Sequence, residues 1–314
     1  MSINKLQTKG IVAALSSALF LGLAPVFGRM AILSGFSPLA VVALRTGLAA
    51  FLMFVIILIF QRQFLYIFPL GLAGCFLAGA INGFGSILYY LALGNLSASL
   101  GQLLYSLYPL FVAVFSFLDN QPISRLTMIR VGVAALAIIL LTSVDGIKAP
   151  LPSVLMMVGS AVLYALHIPI NQRVLYEIPA PTVTLYTLLA MSFVTIPFFV
   201  FTGSQMPLQG VSWWPVLLLT FVTFASRLTL FLGIKNIGGL QAAILGLAEL
   251  FITIVISHFL LGEMLSWTQI LGAIILAGSL LMVALDKQGT HKHHKGGWLS
   301  WIHPPEIKPW SLQD

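Results

Sequence analysis

The chain has 314 residues, 59% of them hydrophobic and 7% charged, with a mean hydropathy of +1.04; soluble domains carry about 25% charged residues, so a soluble fold is excluded. A single cysteine, Cys75, excludes a disulfide and a cysteine metal cluster. The net charge of +7 comes from short loops and the tail rather than a patch, which fits membrane topology and argues against nucleic acid.

In chain order, ten runs are long and apolar enough to span a bilayer: roughly 11–34, 38–60, 67–93, 97–118, 126–144, 151–172, 180–202, 212–234, 240–261 and 268–285. Lys5 and Lys9 before the first run resemble a signal peptide, but nine more runs follow, so the first is a span. Runs this long and uniform exclude barrel strands. Turn residues separate them, among them Gly35-Phe36-Ser37-Pro38, Gly94-Asn95, Asp119-Asn120-Gln121-Pro122, Pro179-Ala180-Pro181 and Gly238-Gly239. With the amino end inside, the inner segments hold Lys5, Lys9, Arg62, Arg125, Arg173, Lys235 and the tail lysines, and the outer loops hold only Lys148. Both termini are therefore expected in the cytoplasm, with the protein in the plasma (cell inner) membrane.

Displacing the sequence by 140 residues lays Ile81–Ser143 on Phe221–Val283 without a gap, with matches such as Ser86/Ser226, Leu107/Leu247 and Gly132/Gly272. Five spans per unit invert the second copy in the membrane, an arrangement many secondary transporters use around a midplane site. The expected fold is an all-α polytopic membrane protein with ten transmembrane helices as two inverted five-helix repeats. Its parts would be a cytoplasmic amino end (1–10), a first repeat (11–144), a second repeat (151–285) and a cytoplasmic basic tail (286–314). No GxxxxGK[ST] run is present for a nucleotide-driven motor.

Glu249 lies inside Leu240–Glu263, about 13 Å from the nearer end of its run at 1.5 Å per residue. A charge at that depth costs roughly 3 kcal/mol or more on an isolated helix, so something must compensate for it. Ala242, Gly246, Glu249 and Thr253 form one stripe of small and polar groups, while Leu245, Leu247, Leu250, Phe251 and Ile254 are expected to turn toward lipid. Arg227, in span eight, could pair with Glu249 as gate or scaffold. An unpaired Glu249 in a dry pocket would instead suit a proton-coupled cycle. In the first copy Gln102, Ser106, Pro109 and Ala113 take the equivalent stripe, and Pro109 is expected to bend the span.

Tyr105 and Tyr108 flank that face and could stack on a substrate. Asn82 and Tyr89 in span three, and Tyr164, His167 and Asn171 in span six, are further polar groups at depth. Arg45 either contacts substrate or snorkels to the interface, Arg29 snorkels, and Arg173 is read as a cytoplasmic cation. Gly83, Gly85, Gly132 and Gly272 are expected at close helix contacts. His291-Lys292-His293-His294-Lys295 lacks a carboxylate or cysteine partner for a metal and is read as a solvated basic tail.

Four stretches carry a family resemblance: LFLGLAPVFGRMAI, SPLAVVALRTGLAA, LALGNLSASLGQLLYSLYPLF and AELFITIVISHFLLGEMLSWTQILGAIILAGSLLM. Over residues 11–285 the chain resembles the drug/metabolite transporter superfamily, in particular its EamA-type ten-span permeases. The resemblance implies a pathway between the first four helices of each half, with an Arg common at the place of Arg45. It departs at Glu249-Leu250, where the family often has Glu-Pro, and at Asn120-Gln121-Pro122, where it often has Gly-Glu. It implies a secondary-active exporter of small polar metabolites such as amino acids, without cofactor or metal. The substrate or coupling residues would be Glu249, Arg45, Arg227, Asn82, Gln102, Tyr105, His167 and Tyr164. Expected partners are a small-molecule substrate and the lipid bilayer, with a homodimer left open. The alternatives are a non-transporting scaffold and an intramembrane enzyme built on Ser226 with His258 or His167 with Glu249.

Overall fold

Backbone N–H and C=O groups in lipid must be satisfied inside the chain, and a helix does this within one segment. The computed structural model describes residues 3–119, 150–204, 206 and 210–263, with 129, 132–133, 136, 267, 271, 274–275 and 297–301 beyond these. The helices are α1 (Ile3–Leu33), α2 (Pro38–Phe60), α3 (Pro69–Leu93), α4 (Ala98–Tyr105), α5 (Tyr108–Leu118), α6 (Leu151–Glu177), α7 (Ala180–Phe201), α8 (Trp214–Ile237), α9 (Gly239–Gly246) and α10 (Ala248–Leu261). Counting α4–α5 and α9–α10 as one crossing each, eight are long and apolar enough to cross a membrane. This is an all-helical integral membrane protein, with no strand among the described residues. The expected spans 126–144 and 268–285 fall largely outside the described residues. Three boundaries move by three residues or more: α1 starts at Ile3 rather than residue 11, α6 runs on to Glu177 rather than 172, and α8 to Ile237 rather than 234.

Lipid tails are as apolar as leucine, so membrane helices associate through close packing rather than hydrophobic exclusion. α1 lies antiparallel along α8. Ser17 Oγ donates to the Ser226 carbonyl (3.0 Å), and Phe20 and Phe27 meet Phe221 and Trp214 edge-on. On its other side Thr253 Oγ1 of α10 donates to the Gly22 carbonyl (2.7 Å). Gly83 and Gly85 seat α3 against Val194 of α7 and Leu163 of α6, as expected. No described atom lies within 4 Å of a Cβ placed on Gly132, so the contact expected there is not found among the described residues; Gly272 lies outside them. Phe51, Phe60, Phe193, Phe201 and Phe259 face outward.

Two crossings are broken near their middle. α4 and α5 part at Ser106-Leu107, and α9 and α10 part at Leu247, the positions that the 140-residue offset superposes. Pro109 explains the first break, because it lacks an N–H and suits the first turn of a helix. The second has no proline; Glu249 stands in the first turn of α10, where an acidic group is favoured. The breaks meet face to face. Tyr108 Oη packs on Gly246 and donates to the Ala243 carbonyl (3.1 Å), an orphan of the α9 end. The break carries the span inward, so Leu245, Leu247, Leu250 and Ile254 are buried rather than lipid-facing, and the last three pack with Leu103. Val255, Phe259 and Leu260 are exposed in their place.

Polar side chains close the helix ends. Arg29 does not snorkel; its Nη1 donates to the Leu93 and Gly94 carbonyls (2.8 and 2.9 Å), capping α3. Glu263 accepts from the Ala98 and Ser99 N–H groups (2.8 and 2.9 Å) at the α4 start. Gln172 Oε1 accepts from the Gly239 N–H (2.8 Å) at the start of α9. Arg173 is not a loop cation either: it is buried, with Nε and Nη2 at 3.0 and 2.7 Å from Asp119 Oδ2. The His-rich stretch 291–295 lies outside the described residues, but the turn at 297–301 packs inward. Leu299 is buried there and donates its N–H to Asp119 Oδ1 (3.2 Å).

Candidate functional site

Between α1, α2, α3, α4, α6, α8 and α10 lies a cavity of about 50 Å³, lined by Arg45, Ser86, Tyr89, Tyr90, Gln102, Tyr105, Ser160, Arg227 and Glu249, with Leu21, Ala24 and Pro25. A water needs roughly 10–15 Å³ of such space, so the cavity has room for a few waters. The broken crossings shape it: Gln102 and Tyr105 come from α4 just before one break, and Glu249 from α10 just after the other.

The charged groups are deeply buried, with Arg45 7%, Arg227 4% and Glu249 1% exposed. Arg45 points inward: Nη2 donates to Ser86 Oγ (2.9 Å), Nη1 to Thr223 Oγ1 (3.3 Å), and the guanidinium lies 4.7 Å from the Tyr90 ring centre. It neither snorkels nor caps a helix end. Arg227 is held from beneath. Its Nη1 donates to His167 Nε2 (3.2 Å), and the Asn82 amide, oriented so that its oxygen faces the cation, accepts at 3.0 and 2.7 Å. Because Nε2 accepts, the His167 proton sits on Nδ1, which bonds the Tyr164 carbonyl, and the imidazole is neutral. The Arg227 guanidinium also lies 5.5 Å from the Tyr164 ring centre.

Glu249 and Arg227 share the cavity without closing an ion pair; the ion pair seen among the described residues is Arg173–Asp119. Gln102 and Tyr108 face the Glu249 carboxyl. Three buried polar atoms of the cavity lack a hydrogen-bond partner: Arg45 Nε, Gln102 Nε2 and Glu249 Oε1. Such atoms cost about 1–3 kcal/mol each and are rare enough in native proteins to require an explanation. Around them Tyr89, Tyr105, Tyr108, Tyr164 and His167 form a continuous ring-to-ring chain with centroids 4.6–5.7 Å apart.

The structure thus brings all eight expected residues together. Glu249, Arg45, Arg227, Gln102 and Tyr105 line the cavity, while Asn82, His167 and Tyr164 form the layer that holds Arg227. The pairs considered for an enzyme do not form. Ser226 Oγ donates to the Thr223 carbonyl, while His258 bonds Glu263 at a helix end; both His167 nitrogens are occupied. Sequence reasoning passed over Ser86, Tyr90, Ser160 and Thr223. Asn82, Ser86 and Tyr90 recur every four residues along α3, a polar stripe that the helical period makes visible.

The model of the EamA-like transporter family matches the chain twice, over residues 8–143 and 151–285. A crystal structure that names its molecule only as a protein has a similar fold, with a TM-score of 0.71 at 15% identity over 88% of this chain and 97% of its own. At that identity the likeness speaks for the fold alone. Comparison with curated proteins gave no match.

Proposed function

This chain belongs to the EamA-like transporter family, and from that premise we propose that it is a secondary-active carrier that exports small polar metabolites by alternating access. The observation that carries the reading is the cavity itself: a polar, charge-bearing chamber at membrane depth, between two broken crossings, with donors and an acceptor left open. Discontinuous helices recur at substrate sites of secondary transporters, where a half-helix end offers backbone charge to the cargo. Breaks at Leu107 and Leu247, set apart by the repeat offset, support two inverted five-helix repeats that rock against one another. The basic inner loops support cytoplasmic termini in the cell's inner membrane. At about 50 Å³ the cavity is too small for a whole metabolite, so loading requires the two halves to part.

The test is solute flux. Purified protein in liposomes should move at least one polar metabolite from a broad panel saturably, and the Arg227→Met variant should lose most of that flux while eluting as a folded species. Failure of every solute to cross faster than in protein-free liposomes contradicts the carrier reading and moves weight to a scaffold.

A further inference from the structure

We propose that the cavity selects small organic monoanions, carboxylates or comparable oxyanions, in preference to zwitterions and cations. As a statement about cargo this rests on the carrier reading above; as a statement about binding it stands alone.

Charge in this cavity is costly, and it does not sum to zero. Arg45 and Arg227 line one cavity, and each is held only by neutral groups: hydroxyls and a tyrosine ring for Arg45, an imidazole and an amide for Arg227. Arginine stays protonated in proteins. Among the described residues Glu249 is the one carboxylate lining the cavity, and it closes an ion pair with neither. The cavity therefore carries one positive charge in excess when Glu249 is ionised and two when it holds a proton. A buried charge without a counterion is strongly unfavourable; a monoanion cancels the excess of the ionised state and halves that of the protonated one. A zwitterion leaves it in place, and a cation adds to it. The open hydrogen-bonding position agrees. Arg45 Nε is an unpartnered donor, nine-tenths or more buried and lining this space, while the Gln102 amide faces the Glu249 carboxyl. A planar carboxylate accepts from such a donor in the manner of arginine–carboxylate pairs.

Glu249 then makes anion binding depend on pH. The charged groups facing it are Arg227 from α8 and, farther off, Arg45 from α2. The neutral titratable groups around it are Tyr89 of α3, Tyr105 and Tyr108 at the α4–α5 break, and Tyr164 and His167 of α6. A proton on Glu249 removes the negative charge that competes with the ligand. Anion binding therefore tightens as pH falls.

The experiment measures equilibrium binding to the full-length protein in nanodiscs. The probes are matched sets on aliphatic and aromatic skeletons: propionate, alanine and ethylamine; 3-phenylpropionate, phenylalanine and phenethylamine. In each set the monocarboxylate should bind at least about tenfold tighter than its zwitterion, and the amine should not compete. Arg45→Gln and Arg227→Gln should each erase that preference. Lowering pH should tighten carboxylate binding in the wild type and leave Glu249→Gln unchanged at its tight limit. Preference for zwitterion or amine, or absence of carboxylate binding, overturns the proposal. Carboxylates that bind but never cross in liposomes leave the anion site standing and sink the carrier reading. Flux confined to neutral or cationic solutes does the reverse.

Discussion

Charged groups in two regions of this protein are treated in opposite ways. At helix ends among the described residues charge is answered: Arg173 meets Asp119, Arg29 meets two carbonyls, and Glu263 meets two backbone N–H groups. In the central cavity Arg45, Gln102 and Glu249 each keep an atom without a partner. The ends use polarity to finish helices, which must satisfy their terminal N–H and C=O groups within the protein. The centre holds polarity in reserve for something that arrives. Arg173 and Asp119 are as deeply buried as the cavity charges, so burial alone does not separate them from the cavity; satisfaction does.

The contrast can be broken most forcefully at the Asp119–Arg173 pair. Arg173→Met takes the arginine from a fully buried carboxylate and should cost about 3–5 kcal/mol, seen as a large fall in melting temperature or in folded yield. Replacing both partners with apolar groups should restore most of the loss. A single variant that melts like the wild type would show the pair to be dispensable and would erase the distinction between end and centre. A smaller effect is expected where the two breaks touch. A Cβ on Gly246 would collide with Tyr108 Oη, so Gly246→Val should destabilise by about 1–3 kcal/mol. Adding Tyr108→Phe should recover part of this, because the clashing hydroxyl is gone. No recovery in the double variant would mean that the breaks do not bear on each other.

Much of the fold could be read from hydropathy, because spans are set by apolar length. The expected 38–60 is α2 to the residue, and 240–261 misses its crossing by one. The break at Leu247 could not be read that way. Leucine is a good helix former, and the contact that Tyr108 makes at the break, on Gly246 and the Ala243 carbonyl, comes from another helix and leaves no trace in the hydropathy. The same limit explains Arg173. Its partner lies 54 positions away, and a loop-end cation looks identical whether it meets solvent or a buried aspartate. The site residues were easier, since an ionisable group inside an apolar run stands out at once. What the sequence left open was the relation between Glu249 and Arg227. Depth along a helix says that two groups could meet, whereas the His167 and Asn82 contacts that hold Arg227 elsewhere emerge only in three dimensions.

The central claim is that the unpaired carboxyl in the cavity takes part in transport rather than in folding. Flux through wild type and Glu249→Gln, side by side in liposomes with and without an imposed pH gradient, tests it most directly. The account predicts that a pH gradient drives wild-type flux, and that the variant stays folded but no longer responds to the gradient. Equal, gradient-independent flux in both would contradict it and reduce Glu249 to a structural residue.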